Sequence, residues 1–260
     1  MPKKPAYRAI AEYYDPENEQ RLMLEHDVPF FLGQLPKKKQ SVLELAAGTG
    51  RAAIPIAQAG HTVVATDYAP EMLDIARRKR DVVGLTDREL RIQFGDALKM
   101  DLRQKFDWVC IFFNTFLAFT TLEQQDQVLQ TCRKHLKKTG RLWIDLFQPD
   151  LHLLSRPHSK GLDPLVFQVQ ELGRTVMKTT DIRPSPADQT QRVTFNYHWI
   201  DSKGRERHER TDFDITWLFP RELRLLMERN GFEIEHLWGN YDGSPVDDNS
   251  PRLIARCRLA

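Results

Sequence analysis

The sequence predicts an α/β fold built on a parallel, doubly wound sheet. Three observations predict it. Strand-like and helix-like segments alternate between residues 41 and 147, a glycine turn follows the first strand, and polar residues follow several of the strands. Parallel strands require helical crossovers, and ligands of such sheets bind at the strands' carboxyl ends. We therefore expect a functional site at that edge of the sheet.

The glycine turn is predicted between a buried strand at residues 41–45 and a helix at residues 51–59, which Gly60 ends. Glycine lets a ligand approach bare backbone, and the start of a helix attracts negative groups. The spacing Gly48-x-Gly50-x-x-Ala53 fits the dinucleotide fingerprint. That fingerprint alone is weak evidence, because ordinary strand-to-helix turns also use glycine.

Polar residues also follow the next three predicted strands. The strand at residues 61–66 ends in Asp67, where a carboxylate can hold a ribose diol. A helix at about residues 70–80 follows, with Pro70 suited to its first turn. The later strands and the residues after them are 90–94 with Gly95-Asp96-Ala97, and 106–112 with Phe113-Asn114.

The rest of the chain divides into recognisable elements. A helix at residues 122–138 is predicted to start at a capping box of Thr120 with Glu123, or at Thr121, and to stop at Gly140. After Pro149 the pattern alternates as strands do, which predicts an antiparallel insertion. The other predicted elements are N-terminal helices at 6–14 and 19–35, strands at 141–147, 165–170, 174–182, 191–200 and 205–217, a helix at 219–231, and strands at 232–238 and 252–259.

Composition narrows the function classes. With 260 residues and 41% hydrophobic content, the chain can form one large domain with an appended subdomain. The net charge of +2 does not indicate nucleic acid binding, and Lys37-Lys-Lys39 reads as a solvated loop, with a phosphate patch as the alternative. The apolar run 108–119 is too short to span a membrane. The three cysteines lack metal-ligand spacing, so we expect reduced thiols and no metal site. The N-terminal residues are not followed by the apolar core of a signal peptide, so we expect a cytoplasmic protein.

The four ordered strand-end motifs resemble those of class I S-adenosylmethionine-dependent methyltransferases, the small-molecule type with an antiparallel insertion after strand five. The resemblance implies a seven-stranded Rossmann-like sheet with an antiparallel final strand. It also implies a domain organisation in which residues 1–40 form an N-terminal helical cap, 41–157 and 218–260 the methyltransferase core, and 158–217 an inserted β subdomain that acts as a substrate lid.

The resemblance implies S-adenosyl-L-methionine as cofactor. Glu44 then lies near the methionine end, Asp67 holds both ribose hydroxyls, and Asp96 accepts the adenine amine. Ala46 replaces the first family glycine, a tolerable change if its backbone angles stay ordinary. Met72 rests on the adenine or is a core residue. The complete set of cofactor-binding candidates is Glu44, Ala46, Gly48, Gly50, Asp67, Tyr68, Met72, Gly95, Asp96, Ala97 and Phe113.

Methyl transfer from a sulfonium is an in-line displacement, so the protein chiefly places a nucleophile about 3 Å from the methyl carbon. The candidate catalytic residues are Asn114, Tyr14 of the Tyr13-Tyr14-Asp15 run, and His152. Relatives often carry a histidine where this chain has Ala118, so His152 and His198 are substitutes by location only. An amine acceptor needs orientation more than a base, which favours N- over O-methylation.

Two other functions fit the same residues. The glycine turn and Asp67 serve an NAD-dependent oxidoreductase equally well, and a non-catalytic protein could bind S-adenosylmethionine through the same pocket. We expect a small-molecule acceptor, neither nucleic acid nor membrane as partner, and a monomer or homodimer. The sequence does not identify the acceptor.

Overall fold

The computed structural model describes residues 10–260, which divide by internal packing into two units. The larger comprises residues 25–148 and 218–260, and the smaller comprises residues 10–24 and 149–217. The first N-terminal helix groups with the smaller unit and almost all of the second with the larger. The domain boundaries predicted from the sequence stay a prediction, and the predicted residues 6–9 of the first helix lie outside the described part.

The larger unit is built on a seven-stranded sheet of order β10-β11-β5-β4-β1-β2-β3. Strands β1 to β5 are parallel to one another, and β10 and β11 complete the sheet as an antiparallel hairpin beside β5. The strands are β1 Ser41–Leu45, β2 Thr62–Asp67, β3 Leu90–Phe94, β4 Phe106–Ile111, β5 Leu136–Phe147, β10 Phe232–Trp238 and β11 Arg252–Leu259. The doubly wound α/β fold predicted from the sequence is confirmed.

Helices connect these strands. They are α2 Leu24–Gln34, α3 Ala53–Gln58, α4 Pro70–Val82, α5 Leu122–His135 and α7 Pro220–Arg229. Proline stands in the first turn of α4 and of α7, where its missing N–H is not needed and its fixed φ suits the helix. The chain reverses direction after each helix, so the carboxyl ends of β1 to β5 lie along one edge of the sheet.

Three predictions around α5 were wrong. The helix ends at His135 rather than residue 138, because Leu136 already begins β5. The predicted capping box of Thr120 with Glu123 does not form; the N-cap is Thr121, the other predicted start, and its capping box is with Gln124. Gly140 is no helix stop; it lies inside β5, where a Cβ would come within 3.0 Å of two carbonyl oxygens of β4. Close strand packing therefore requires glycine at that position.

The smaller unit contains the predicted antiparallel sheet, of order β6-β7-β8-β9. Its strands are β6 Ser159–Val169, β7 Arg174–Ser185, β8 Thr190–Ile200 and β9 Glu206–Thr216, and its helices are α1 Ala11–Asn18 and the short α6 Leu151–Leu154. Tyr13 of α1 packs with Phe167 and Tyr197 in an apolar cluster on this sheet. Throughout residues 10–260, no helix has the length and apolar character needed to cross a membrane.

Candidate functional site

The glycine turn after β1 has the left-handed backbone that close ligand approach requires. Gly48 and Gly50 have φ of 56° and 76°. Ala46 has φ of 52°, so the condition under which alanine would be a tolerable replacement for the family glycine, an ordinary backbone conformation, is not met. A non-glycine residue pays about 1–2 kcal/mol for this conformation, and such strain is concentrated at functional sites.

Asp67, at the end of β2, fastens this turn. Its Oδ2 accepts the Gly48 N–H at 2.8 Å, and its Oδ1 accepts the Ala69 N–H at 2.8 Å. Burial raises the pKa of the Asp67 carboxyl, and the backbone bonds from Ala69, Gly48 and Tyr68 oppose that rise. A carboxylate has about four acceptor positions, so Asp67 can accept these three backbone bonds and still accept one hydroxyl group.

Glu44 in β1 is a buried acid with an unused oxygen. It is 3% exposed, and its Oε2 has no hydrogen-bond partner among residues 10–260. Burial raises its pKa to about 8, opposed by the Arg51 charge and reinforced by Asp27 and Asp67. Leaving a buried acceptor unpaired is costly, so this oxygen is a place for a ligand donor or cation.

The residues after β3 differ in burial: Gly95 is closely packed, whereas Asp96 and Ala97 are partly exposed. A Cβ on Gly95 would lie 2.9 Å from the Thr66 Cβ and the Met100 Sδ, so close packing already explains that glycine. Asp96 is half-buried; its Oδ1 accepts the Leu98 N–H at 3.0 Å, which leaves acceptor capacity for a ligand amine. Its neighbour Ala97, the predicted backbone donor to the adenine ring, is likewise half-buried.

Two exposed aromatic rings stand beside Asp67 and Gly95. Tyr68 is 43% exposed and Phe94 is 56% exposed, with ring centroids 5.3 Å apart. Sequence analysis missed Phe94; the signal was an aromatic residue at the very end of a strand, directly before Gly95. Met72, in contrast, is 2% exposed and lies in the core, which supports the packing interpretation of that residue.

The turn after β4 is strained and firmly held. Phe113 and Asn114 both have positive φ, 48° and 66°. The Asn114 N–H donates to the Asp145 carbonyl at 2.9 Å, and the Asn114 Oδ1 accepts the Phe147 N–H at 2.7 Å. Asn114 therefore ties the end of β4 to the end of β5, as the loop-capping alternative requires, and only its Nδ2 is left to face a ligand.

Ion pairs that sequence analysis missed surround this turn. Arg51 lies 2.6 Å from the Asp27 carboxylate and over the Phe113 ring at 5.3 Å. Arg252 also lies near the Phe113 ring, with its guanidinium carbon 5.9 Å from the ring centroid. The Nε of Arg252 donates to Asp145 Oδ1 at 3.0 Å. The hydroxyl of Tyr241 donates to Asp145 Oδ2 at 2.8 Å. One feature of the sequence could have indicated such a pair. Arg51 is a cation at the start of a helix, where anions are favoured, so an acidic partner is expected nearby.

The other candidate residues belong to the smaller unit. Tyr14 lies in α1, where its carbonyl accepts the Asn18 Nδ2–H at 2.8 Å. His152 is exposed in α6, and its backbone N–H is capped by Asp150. His198 in β8 stacks on His208 of β9, with ring centroids 4.6 Å apart. The larger unit thus brings together the predicted residues from Glu44 to Asn114, whereas Tyr14 and His152 do not belong to that group.

Comparison with known proteins identifies this arrangement. Residues 42–140, which carry all four strand-end motifs, match a family model described as a methyltransferase domain. The chain is 26% identical over 219 residues to the cypemycin N-terminal methyltransferase of a Streptomyces species, covering 84% of this chain and 83% of that one. Residues 42–140 are therefore a methyltransferase domain, and the chain is similar to S-adenosylmethionine-dependent methyltransferases. The oxidoreductase alternative is thereby set aside.

Solved structures share the fold of this methyltransferase. The CcbJ methyltransferase from Streptomyces caelestis superposes with a TM-score of 0.77 at 19% identity, covering 98% of this chain and 96% of that one. The sugar N-methyltransferase KedS8 from a Streptoalloteichus species gives a TM-score of 0.71 at 20% identity, with 95% and 92% covered. The seven-stranded sheet with an additional antiparallel sheet is therefore an architecture that known methyltransferases share.

Proposed function

We propose that this enzyme methylates an amine nitrogen of a small molecule. The observation that carries the proposal is the turn after β4. Its polar side chain, Asn114, already spends its carbonyl oxygen on the Phe147 N–H, and no titratable side chain occurs from Thr115 to Phe119. A fraction of an amine acceptor is already deprotonated when it enters the site, so the amine needs only to be oriented. A hydroxyl acceptor needs a base to remove its proton. A sugar N-methyltransferase of the same fold supports the proposal.

The residues of the larger unit fit the family's cofactor. S-adenosylmethionine, when bound, supplies an electrophilic methyl group on a sulfonium centre. Glu44 has the orphaned buried oxygen for the positively charged end, and the left-handed turn at Gly48 and Gly50 gives backbone access. Asp67 retains an acceptor position for a ribose hydroxyl beside its backbone bonds. Tyr68 and Phe94 offer exposed ring faces for a planar base beside Asp96.

The charges around the site favour a cationic ligand. The charges of Asp27 and Asp67 add to the rise in the pKa of Glu44, and the charge of Arg51 opposes it. Because Arg51 is already paired with Asp27, its charge is not available to neutralise the pyrophosphate group of a dinucleotide. Excess negative charge in a low-dielectric site attracts a sulfonium and repels a dinucleotide.

The acceptor side rests on fewer observations. We propose that the Nδ2 of Asn114 orients the acceptor, since its Oδ1 and backbone are fixed by β5. Tyr14 and His152, whose side chain is exposed, stay proposed catalytic residues. The antiparallel subdomain at residues 158–217 stays a proposed substrate lid.

A labelled-methyl assay tests the proposal. Purified enzyme is incubated with methyl-labelled S-adenosylmethionine and pairs of acceptors that differ only in an amine or a hydroxyl at one position. We expect label in the amine member of a pair, with a rate that rises as pH approaches the pKa of the acceptor's ammonium. Transfer to hydroxyl members alone would refute N-methylation. An Asn114→Ala variant should raise the acceptor KM while leaving the affinity for S-adenosylhomocysteine nearly unchanged.

A further inference from the structure

A second cavity, of about 380 Å³, opens in the larger unit away from the glycine turn. Its walls include Gln40, directly before β1, Asp107 at the start of β4, and Arg141 in the first half of β5. These positions are at the amino ends of the parallel strands, at the opposite edge of the sheet from Gly50 and Asp67. The cavity is therefore separate from the proposed methyl-transfer site.

The carboxylates of this cavity are already neutralised by the protein. Asp107 Oδ2 accepts the N–H and the hydroxyl of Ser41 at 2.9 and 2.6 Å, and Oδ1 accepts Lys137 Nζ at 2.9 Å. Although burial acts to raise the pKa of Asp107, its bonds to Ser41 and Lys137 lower it. Glu235 Oε2 accepts Arg141 Nε at 2.6 Å and lies 3.4 Å from Arg256 Nε.

The cations of the cavity are in excess and partly unused. Two guanidinium groups, of Arg141 and Arg256, share the single Glu235 carboxylate. The Nε of Arg256 is buried and makes no hydrogen bond to any described residue, and its Nη1 makes only a 3.3 Å bond to Gln34. Lys38 adds a third cation to the lining. A buried donor without an acceptor is costly, so the cavity offers an anion a favourable place.

The lysine loop is held against the cavity rather than left free. The Nε2 of Gln40 donates to the carbonyl oxygens of Lys38 at 2.8 Å and Lys39 at 3.3 Å. Pro36 restricts the backbone where the loop leaves α2. The backbone of the Lys37-Lys-Lys39 triplet is therefore held in place, and Lys38 of the triplet lines the cavity.

We propose that this cavity binds a small phosphorylated molecule. Arginine forms paired hydrogen bonds to phosphate oxygens and lysine adds a point charge, which matches Arg256 and Lys38. Arg141 adds positive charge, because its Nε and Nη1 already donate to Glu235 and to the carbonyls of Thr139 and Gly140. The volume is within the range of small-ligand sites. It accommodates a phosphate with a small organic group and is too small for a nucleic acid strand. This inference does not depend on which acceptor the enzyme methylates.

Calorimetric titration with inorganic pyrophosphate tests the site. The enzyme is first saturated with S-adenosylhomocysteine, so that the glycine turn cannot take up the probe. We expect one pyrophosphate per chain, with affinity that weakens as salt rises. Arg256→Gln should weaken binding by about tenfold or more and Arg256→Lys by less, because lysine keeps the charge but loses the paired donors.

Arg258→Gln is the matched control. Arg258 lies two residues along β11, is paired with Glu233 at 2.6 Å, and does not line the cavity. This variant should bind pyrophosphate as the wild type does, and thermal melting establishes that each variant is folded. Absence of binding to folded wild type, or equal loss in the Arg256 and Arg258 variants, would overturn the proposal. Competitive displacement of the probe by a short single-stranded RNA at lower concentration would also overturn it, in favour of a nucleic acid surface.

Discussion

The two units of this methyltransferase differ at their buried acids. In the larger unit, Glu44 has an unpaired buried oxygen beside a turn strained at Ala46, although the neighbouring acids Asp27 and Asp145 are paired with arginines. In the smaller unit, Lys178 is only 1% exposed, yet its ammonium bonds to Glu17 and lies 3.4 Å from the centre of the Phe195 ring.

In the smaller unit, the buried acid of α1 is paired and serves a structural role. Glu17 of α1 also accepts the Tyr197 hydroxyl at 3.3 Å, and the Tyr13 hydroxyl donates to Glu209 at 3.0 Å. These bonds fasten α1, which contains Pro16 and lacks a side-chain N-cap, to β7, β8 and β9. The comparison teaches that paired charges here hold a weak helix in place, whereas the unpaired oxygen of Glu44 in the larger unit is prepared for a ligand.

The largest expected effect concerns Glu44 and pH. Its pKa is raised from an ordinary 4.5 to about 8 in the folded protein, so the folded state holds a proton that the unfolded chain releases. The contribution of Glu44 to stability is therefore fully present below about pH 4.5 and is lost as pH rises towards 8. We expect the unfolding free energy of the ligand-free protein to fall, relative to Glu44→Gln, by on the order of 5 kcal/mol across that window. Parallel curves for the two proteins would contradict a buried, unpaired carboxyl.

The next effect comes from breaking the buried pair of the smaller unit. Lys178→Met removes the buried counter-charge of Glu17 and leaves it only the partly exposed Arg21, 2.9 Å away. We expect a loss of about 3 kcal/mol in the free energy of unfolding, the lower end for breaking a buried pair. Urea denaturation measures it. The double variant Glu17→Gln with Lys178→Met should recover at least half of the loss, because the stranded charge is gone. The exposed Lys99→Met should change little; if Lys178→Met behaves like it, the contrast between the units is wrong.

A third test asks whether Asp67 binds ligand or only holds the turn. Asp67→Asn keeps the size of the side chain but removes its charge and one acceptor, and we expect about 100-fold weaker binding of S-adenosylhomocysteine by titration calorimetry. Asp74→Asn, on the exposed face of α4, is the control and should bind normally. Unchanged affinity in a folded Asp67→Asn protein would assign Asp67 to the bonds with Gly48 and Ala69 alone.

The smallest effect tests strain at Ala46. Ala46→Gly should stabilise the protein by about 0.5–1 kcal/mol, because relief of the left-handed conformation exceeds the added flexibility of glycine in the unfolded chain. Ala47→Gly, next in the chain and buried without positive φ, should instead destabilise by about 1 kcal/mol. Thermal or urea unfolding of both variants gives the comparison, and the same sign for both would show that Ala46 is not strained.

Much of the fold follows from local patterns. The bounds of β1, β3, β10 and β11 agree with the sequence prediction, since continuous or alternating apolar runs between turn residues specify strands. The end of α5 was misjudged because Leu136 to Gly140 continues a helical pattern locally. Pairing with β4 decides that stretch instead, and the same pairing requires Gly140 to lack a side chain.

The sequence by itself determined the order of strands and the residues that follow them, because a motif at the end of a parallel strand needs only its neighbours in the chain. Tertiary structure decided what those residues do. It strained Ala46, gave the Asn114 oxygen to Phe147, and placed Met72 in the core. It also brought Arg51 to Asp27 and Arg252 to Asp145. Such partners are distant in sequence, so only burial and packing between elements select them.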